Sequence, residues 1–343
     1  MGQALRRFIA SYFLAGALSV QAASAEPTLE AVKQRGSLRC GVEENAPGLG
    51  SFTEAGVWDG FFVDYCKAIA AATVGSAEAV DFAHVDVQNR FEALQSSAID
   101  VLVSNSTWTL RRDAGLGLNF AGVLYYDGQG FLAHKSLGAN NLGEVGEATV
   151  CVQAGGTTTE KNLADYVRST NPAMKAIPFQ TQEGSVGAFL RRQCDLLTSD
   201  RLELVGMLSS RAPKPDVYVL FPEVISKEPL GPVVRDDDPQ WFNIVKWVIY
   251  ATIAAEEKGV TSANVAVMRK SEDPEVRRLL GVDPGLGESL GLDADWAARV
   301  IEQVGNYGEV FERDLGHETP LGLERGLNAL WTEGGLMYAP PLR

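Results

Sequence analysis

A loop rich in hydrogen-bond donors, Ser104 to Asp113 (SNSTWTLRRD), follows a short apolar run. A ligand carboxylate needs a guanidinium fork and short donors, because charge-assisted hydrogen bonds are about twice as strong as neutral ones. The loop therefore predicts a carboxylate site with Arg112, Asn105 and Thr107 as its donors. A helix-capping loop with surface arginines would give the same pattern.

A second group of donors lies at Gly155 to Glu160 (GGTTTE). Thr157 and Glu160 have the spacing of a capping box, so a helix should begin here with free N–H groups at its positive end. Such an end attracts anions, including a carboxylate, and Thr157 and Thr158 are the candidate donors. A plain helix cap is the alternative.

Two six-residue segments resemble each other, Asp100 to Asn105 (DVLVSN) and Asp195 to Asp200 (DLLTSD). Each indicates a strand that ends in a polar residue, and α/β sheets bind ligands at the carboxyl ends of their strands. We therefore expect Asn105 and Asp200 to share one cleft, with Asp200 accepting from an ammonium group. Two ordinary strand ends without a ligand site would give the same pattern.

Three other residue types could contact a ligand side chain. Glu43 and Glu44 follow the predicted first strand, although a solvated loop explains them as well. Rigid aromatic walls suit apolar side chains, and Phe52 and Trp108 lie in candidate cleft loops.

The three histidines have no metal-ligand spacing, and no nucleophile or phosphate-loop motif occurs, so we predict no metal, no cofactor and no catalytic residue.

The elements that must position these residues alternate between strands and helices, which is typical of an α/β architecture. The predicted strands are 38–42, 99–103, 149–152 and 195–198, and the predicted helices are 61–73, 90–97, 187–193 and 241–255. Two turn-rich segments, 126–131 and 227–232, predict crossings between lobes. Lobe one would then comprise residues 26–130 and 232–343, and lobe two residues 131–231.

The first 25 residues have the three-part pattern of a secretory signal peptide, with cleavage after Ala25. Their apolar run is shorter than the roughly 20 residues that span a bilayer, so we expect an exported protein without a membrane span in the mature chain. Cleavage would change the formal net charge from −14 to −16, since Arg6 and Arg7 leave. Such an acidic chain does not attract nucleic acid or an anionic membrane.

Four widely spaced cysteines in an exported chain suggest two disulfides, for which three pairings exist. We favour Cys40 with Cys66 and Cys151 with Cys194, because each pair then lies within one predicted lobe. Four buried thiols are the alternative.

The chain resembles the periplasmic general L-amino-acid-binding proteins of polar amino-acid ABC transporters over essentially its whole mature length. The segments that carry the resemblance include Cys40-Gly-Val, Arg90-Phe-Glu-Ala-Leu-Gln-Ser, Thr107-Trp-Thr, Tyr125-Tyr-Asp-Gly-Gln-Gly-Phe, Thr157-Thr-Thr-Glu, Ile225-Ser-Lys-Glu-Pro-Leu-Gly-Pro and Gly334-Gly-Leu-Met-Tyr.

The resemblance implies a two-lobed type II periplasmic-binding fold with two hinge crossings, which captures free L-amino acids by hinge closure and delivers them to permease subunits. It implies that Arg112 binds the α-carboxylate, helped by Asn105, Thr107, Thr157 and Thr158, and that Asp200 accepts from the ammonium. It also implies a periplasmic location, and we expect a monomer that is not an enzyme.

Four features depart from the family pattern and bear on side-chain specificity. They are Phe62, Arg111 beside Arg112, the additional glycine of Gly155-Gly156, and the run that begins at Arg201. Arg111 is an alternative to Arg112. Two other functions compete with this one: a small-acid dehydratase-like enzyme and a binder of another small carboxylate. In the enzyme, Glu43 or Glu44 would be the acid or base.

Overall fold

A computed structural model describes residues 27–44, 46–53 and 56–343. The predicted signal peptide lies outside these residues. Within them, no helix combines the length and the apolar character that crossing a membrane requires. The helices are α1 Thr28–Arg35, α2 Phe61–Val74, α3 Arg90–Gln95, α4 Leu110–Gly115, α5 Thr158–Ser169, α6 Gln182–Leu190, α7 Arg201–Ser210, α8 Pro239–Glu257, α9 Val265–Met268, α10 Pro274–Leu279, α11 Leu286–Leu290, α12 Trp296–Gln303 and α13 Tyr307–Asp314.

The strands are β1 Leu38–Val42, β2 Ser51–Phe52, β3 Trp58–Asp59, β4 Val80–His84, β5 Val101–Leu102, β6 Leu118–Phe120, β7 Tyr125–Asp127, β8 Gln129–His134, β9 Ala148–Gln153, β10 Met174–Phe179, β11 Leu196–Asp200, β12 Tyr218–Leu220, β13 Glu228–Leu230 and β14 Val233–Arg235.

The first lobe contains a five-stranded sheet in the order β4-β1-β5-β14-β6. β1 pairs in parallel with β4 and β5, and β14 runs antiparallel to β5 and β6. Helices α2 and α8 pack in its core, where Phe61 and Trp241 are almost wholly buried. α8 begins at Pro239 because the Asp238 side chain accepts from the backbone N–H of Trp241 at 2.9 Å.

The second lobe contains a five-stranded sheet in the order β10-β9-β11-β8-β12. β9 pairs in parallel with β10 and β11, while β8 runs antiparallel to β11 and β12. Helices α5 and α6 cover opposite faces, since Leu163 of α5 and Phe189 of α6 pack in separate cores. The two sheets confirm the two-lobed α/β fold.

The chain crosses between the lobes at β7 and β13, which pair antiparallel from Tyr125 to Asp127 and from Leu230 to Glu228. The sequence predicted turns here, and the structure instead has a two-stranded connection. Beside it, a side chain at Gly231 would place its Cβ 1.9 Å from the carbonyl oxygen of Gly122, so only glycine permits this approach of the two backbones.

Helix α6 and strand β5 are two of the elements whose bounds differ from the predicted ones. Helix α6 spans Gln182–Leu190 rather than 187–193. It begins early because the Thr181 side chain accepts from the N–H of Gly184, and it ends before Arg192, whose φ of 60° is left-handed. Strand β5 has two ladder residues rather than the five predicted.

Each lobe contains one disulfide. Cys40 of β1 joins Cys66 of α2, and Cys151 of β9 joins Cys194, two residues before β11. These are the pairs that the sequence favoured. Each ties a central strand to a neighbouring element within one lobe, so neither bond restrains the movement of one lobe against the other.

Candidate functional site

A cavity of about 300 Å³ lies between the two lobes. Its walls come from loops after β1, β4 and β5 in lobe one and from the starts of α5, α6 and α7 in lobe two. Eight of the ten residues that the sequence suggested as ligand contacts line it: Glu43, Glu44, Asn105, Thr107, Arg112, Thr157, Thr158 and Asp200. The strand-end argument therefore located the cavity correctly.

Arg112 lies on α4, the short helix that begins after Thr109, and is 7% exposed. Its Nη1 donates to the carbonyl oxygen of Thr107 at 2.9 Å, and its guanidinium lies 5.5 Å from the ring centre of Phe91. Burial, and then the charge of Arg90, lower the pKa of Arg112 to about 10. Its neighbour Arg111 is exposed, and the structure leaves this alternative candidate outside the cavity.

Thr157 is the N-cap of α5, and its Oγ1 accepts from the N–H of Glu160 at 3.0 Å. The predicted capping box is half formed, because the Glu160 carboxylate accepts instead from the N–H groups of Gly155 and Gly156. Thr158 follows as the first helical residue, and its Oγ1 lies 3.3 Å from Thr107 Oγ1 in the other lobe. The positive end of α5 therefore meets the Arg112 loop across the cavity.

Asp200 ends β11 and precedes α7 without capping it, and it is 4% exposed. Its Oδ1 is buried and has no hydrogen-bond partner among the described residues. Burial, and then the charges of Asp127 and Glu203, raise the pKa of Asp200 well above its ordinary value. A buried carboxyl oxygen without a donor is costly, and a cationic ligand group would satisfy it.

Asn105 has a different role from the simple donor that was expected. Its Nδ2 donates to Glu203 Oε1 of the opposite lobe at 2.7 Å, and its Oδ1 is buried without a partner in the described chain. Asn105 therefore links the lobes through its amide nitrogen, and its buried carbonyl oxygen is an acceptor that a ligand could use.

Glu43 pairs with Arg90, whose Nη1 lies 2.9 Å from Glu43 Oε1 and 2.8 Å from the carbonyl oxygen of Asn105. Burial raises the pKa of Glu43 to about 7, although the charge of Arg90 opposes this shift. Glu44, the other predicted acid, also lines the cavity, and its carboxylate lies 3.6 Å from His84 Nδ1.

Two aromatic residues that were predicted to line the cleft do not do so. Phe52 packs against Trp58 in the β2–β3 hairpin and is 50% exposed. Trp108 stacks on Phe120 outside the cavity. Adjacent side chains of an extended segment face opposite ways, so the loop that directs Thr107 inward directs Trp108 outward.

Sequence reasoning missed Arg90, Gln182 and Glu203 as lining residues. Glu203 lies one helical turn after Asp200, and this spacing was the available signal. Arg90 and Gln182 gave none, because each begins a helix of ordinary appearance. Within the described part of the chain, no group of three or more His, Cys, Asp or Glu residues could hold a metal ion.

The cavity thus contains groups of both charge signs. Arg112 of lobe one and the α5 terminus of lobe two suit an anionic group, and Asp200 suits a cationic one. No described side chain bonds to Asp200 Oδ1. This arrangement can hold a small zwitterion.

Comparison with known proteins agrees with this geometry. Residues 38–260 match the family model described as bacterial extracellular solute-binding proteins, family 3. The general L-amino acid-binding periplasmic protein AapJ of Rhizobium johnstonii is 47% identical, over 95% of this chain and 96% of its own. The glutamate/glutamine/aspartate/asparagine-binding protein BztA of Rhodobacter capsulatus is 48% identical, over 98% of both chains.

A solved structure has the same fold at high similarity. It is a periplasmic binding protein of an ABC transporter from Brucella ovis with glutathione bound. Its sequence is 45% identical, the match covers 93% of this chain and 100% of that chain, and the TM-score is 0.90.

Proposed function

We propose that this chain, which belongs to family 3 of the bacterial extracellular solute-binding proteins, captures a free L-α-amino acid between its lobes and delivers it to an ABC permease. The observation that carries the proposal is that one cavity contains both Arg112 and Asp200, whose Oδ1 is buried without a hydrogen-bond partner in the described chain. An α-amino acid has the matching carboxylate and ammonium groups.

The α-carboxylate would bind Arg112 and the N–H groups at the start of α5, whose first turn has no intrahelical acceptors. The α-ammonium would donate to Asp200 Oδ1. Hydrogen bonds to charged groups contribute roughly 1.5–3 kcal/mol each. Several such bonds account for micromolar affinity, about −8 kcal/mol, whatever the side chain.

Ligand binding would close the lobes about the β7–β13 connection. Few side-chain hydrogen bonds join the lobes at the cavity: Asn105 to Glu203, Thr107 to Thr158, and Gln88 to the carbonyl oxygen of Gln180. The two neutral bonds contribute only about 0.5–1.5 kcal/mol each, and the bond to the Glu203 carboxylate roughly 1.5–3 kcal/mol. The ligand's own bonds to both lobes would therefore determine how far closure is favoured.

The same proposal covers organisation and location. Lobe one comprises residues 26–130 and 232–343 and lobe two residues 131–231, after removal of a signal peptide at Ala25. The mature protein works in the periplasm as a monomer and releases its ligand unchanged, without a cofactor. Periplasmic relatives that bind amino acids support this assignment.

A thermal-shift screen of the mature protein against the twenty amino acids tests the proposal, because a ligand raises stability by RT ln(1 + [L]/Kd). Each amino acid is paired with its deaminated and its decarboxylated analogue. We expect stabilisation by several amino acids and by neither analogue. Stabilisation only by acids that lack the α-ammonium would contradict the role of Asp200, and turnover of a bound ligand would favour the dehydratase-like alternative.

A second candidate ligand is a γ-glutamyl peptide such as glutathione. The cavity volume of about 300 Å³ reaches the range of roughly 300–1,000 Å³ that is typical of larger small-molecule ligands. The Brucella ovis structure contains glutathione. Adding glutathione and γ-glutamyl dipeptides to the screen tests this candidate, and stabilisation by free amino acids alone would exclude it.

A further inference from the structure

A chain of hydrogen bonds begins at Glu203 on the wall of the cavity. Glu203 Oε1 accepts from Asn105 Nδ2 at 2.7 Å, and Glu203 Oε2 accepts from Ser199 Oγ. Ser199 Oγ in turn lies 3.2 Å from Gln182 Nε2. The ionised carboxylate can only accept, so the Ser199 hydroxyl must donate to it and must accept from a neighbour that has an N–H group.

This chain fixes the orientation of two side-chain amides. Asn105 and Gln182 each turn their nitrogen toward the Glu203–Ser199 pair, so each keeps its carbonyl oxygen for another partner. Asn105 Oδ1 and Gln182 Oε1 are buried, and neither has a partner within residues 27–44, 46–53 and 56–343. Both residues line the cavity, and a bound ligand with N–H groups would satisfy these oxygens.

Gln182 lies at a different end of the cavity from the proposed ammonium site. Successive side chains of a strand face opposite ways, and in β11 Leu196 packs in the α5 core and Leu197 in the α6 core. By this alternation Asp200 lies on the α5 face, and Ser199 lies on the α6 face with Gln182. A ligand whose ammonium contacts Asp200 would therefore extend its side chain toward Gln182.

Among the described residues around Gln182, each cationic side chain has a carboxylate beside it. Val186 and Met207 are apolar, and Arg211 lies 3.7 Å from Glu183. Arg90, whose Nε is buried without a partner in the described residues, belongs to lobe one and pairs there with Glu43. A ligand carboxamide would bring N–H donors to Gln182 Oε1, whereas a carboxylate would leave this acceptor unpaired.

We propose that Gln182, oriented by Ser199 and Glu203, determines ligand specificity by accepting a hydrogen bond from a side-chain amide N–H, so that the protein binds glutamine more tightly than glutamate. This inference rests on the proposed function. The two ligands have nearly the same shape, and they differ in the donors that their side-chain ends present. A site that accepts a hydrogen bond from a ligand discriminates against an analogue without the donor, because the acceptor atom of the site then stays unpaired.

Isothermal titration of the mature wild-type protein with glutamine, glutamate and alanine tests the inference. Alanine has the common α-amino-acid groups and no polar side chain, so it reports on the head-group site alone. We expect glutamine to bind at least about tenfold more tightly than glutamate. Equal or tighter binding of glutamate would overturn the inference. If none of the three ligands binds, the proposed function fails instead.

Two variants separate the role of Gln182 from a general effect on the protein. Gln182→Met keeps the length of the side chain and removes the acceptor, and it should reduce the glutamine-to-glutamate ratio to within about threefold of one while alanine affinity stays unchanged. Glu203→Gln lets both amides rotate and should also reduce the ratio. The matched control is Gln193→Met, an exposed position three residues after the end of α6, which should keep the wild-type ratio.

The outcomes are decisive even where a variant is unstable. Thermal melts of each variant show whether it folds, and the ratio of two affinities cancels any loss of active protein. A wild-type ratio in Gln182→Met would overturn the assignment of Gln182. A ratio that falls in Gln182→Met and in Gln193→Met alike would also overturn it, because the effect would then not belong to the acceptor oxygen.

Discussion

Asn105 Nδ2 of lobe one donates to Glu203 Oε1 of lobe two at 2.7 Å, although 98 positions separate the two residues in the sequence. The bond lies at the cavity wall and joins the lobes without a ligand. It therefore contributes to the closed arrangement itself, and changes at either residue should affect every ligand that the closed protein holds.

We predict that Asn105→Ala weakens the binding of alanine about tenfold, because a hydrogen bond to a charged group contributes roughly 1.5–3 kcal/mol. Isothermal titration measures the affinity, and small-angle X-ray scattering of the free protein should show a larger radius of gyration. Asn140→Ala, at an exposed position of lobe two, is the matched control. Unchanged affinity and size would show that the bond does not stabilise closure.

Arg112→Ala should weaken the binding of all amino acids alike by at least about tenfold. The variant removes the charge-assisted hydrogen-bond partner of the α-carboxylate, which all of them share. Titration with four amino acids of different side chains checks this. The adjacent exposed position provides the control, because Arg111→Ala should change no affinity by more than about twofold. A loss confined to one amino acid would mean that Arg112 contacts a side chain.

Asp200→Asn should increase the stability of the ligand-free protein while weakening amino-acid binding at least about tenfold. The variant replaces a buried carboxyl group that lacks a partner on Oδ1, and leaving such a group unsatisfied costs about 1–3 kcal/mol. Urea unfolding and titration measure the two effects, with exposed Asp216→Asn as control. A destabilised variant would argue that Asp200 has a structural role.

Amino-acid binding should release protons at pH values below the raised pKa of Asp200. Burial raises the pKa of Asp200 in the empty cavity, and an ammonium group beside the carboxylate would lower that pKa again. Between the two pKa values the free site binds more protons than the complex, so affinity should increase as the pH rises toward the pKa of the empty site. Isothermal titration in phosphate and in Tris gives the number of protons released on binding, because the measured heat includes the heat of protonating the buffer. Proton uptake would contradict the prediction.

Asp314→Asn should reduce the loss of stability that accompanies a rise in pH from about 4 to about 8. Burial, and then the charge of Asp64, raise the pKa of Asp314 from its ordinary 3.8 to about 8. The folded protein keeps this proton and the unfolded chain loses it, so stability falls by up to about 1.4 kcal/mol per pH unit between pH 4 and 8. Urea unfolding at four pH values should show that the free energy of unfolding of the variant, relative to that of the wild type, increases as the pH rises. Parallel curves would exclude the linkage.

Local patterns predicted the elements that build the lobes. β1 has the predicted bounds, and α8 contains the whole predicted helix 241–255. Periodicity and capping act over a few residues, so a sequence shows them directly. The α6 boundary was wrong, because the helix begins at a side-chain cap upstream and ends at a left-handed residue that propensity did not reveal.

The sequence by itself determined the two α/β lobes and the strand ends at which Asn105 and Asp200 meet, because both follow from short-range patterns and the rule for strand ends. Only the tertiary structure decided that Trp108 faces outward, that Asn105 gives its amide to Glu203, and that Gln182 is left with an unpartnered oxygen. Those outcomes depend on contacts between residues far apart in the chain, and geometry rather than residue type sets the direction of each hydrogen bond.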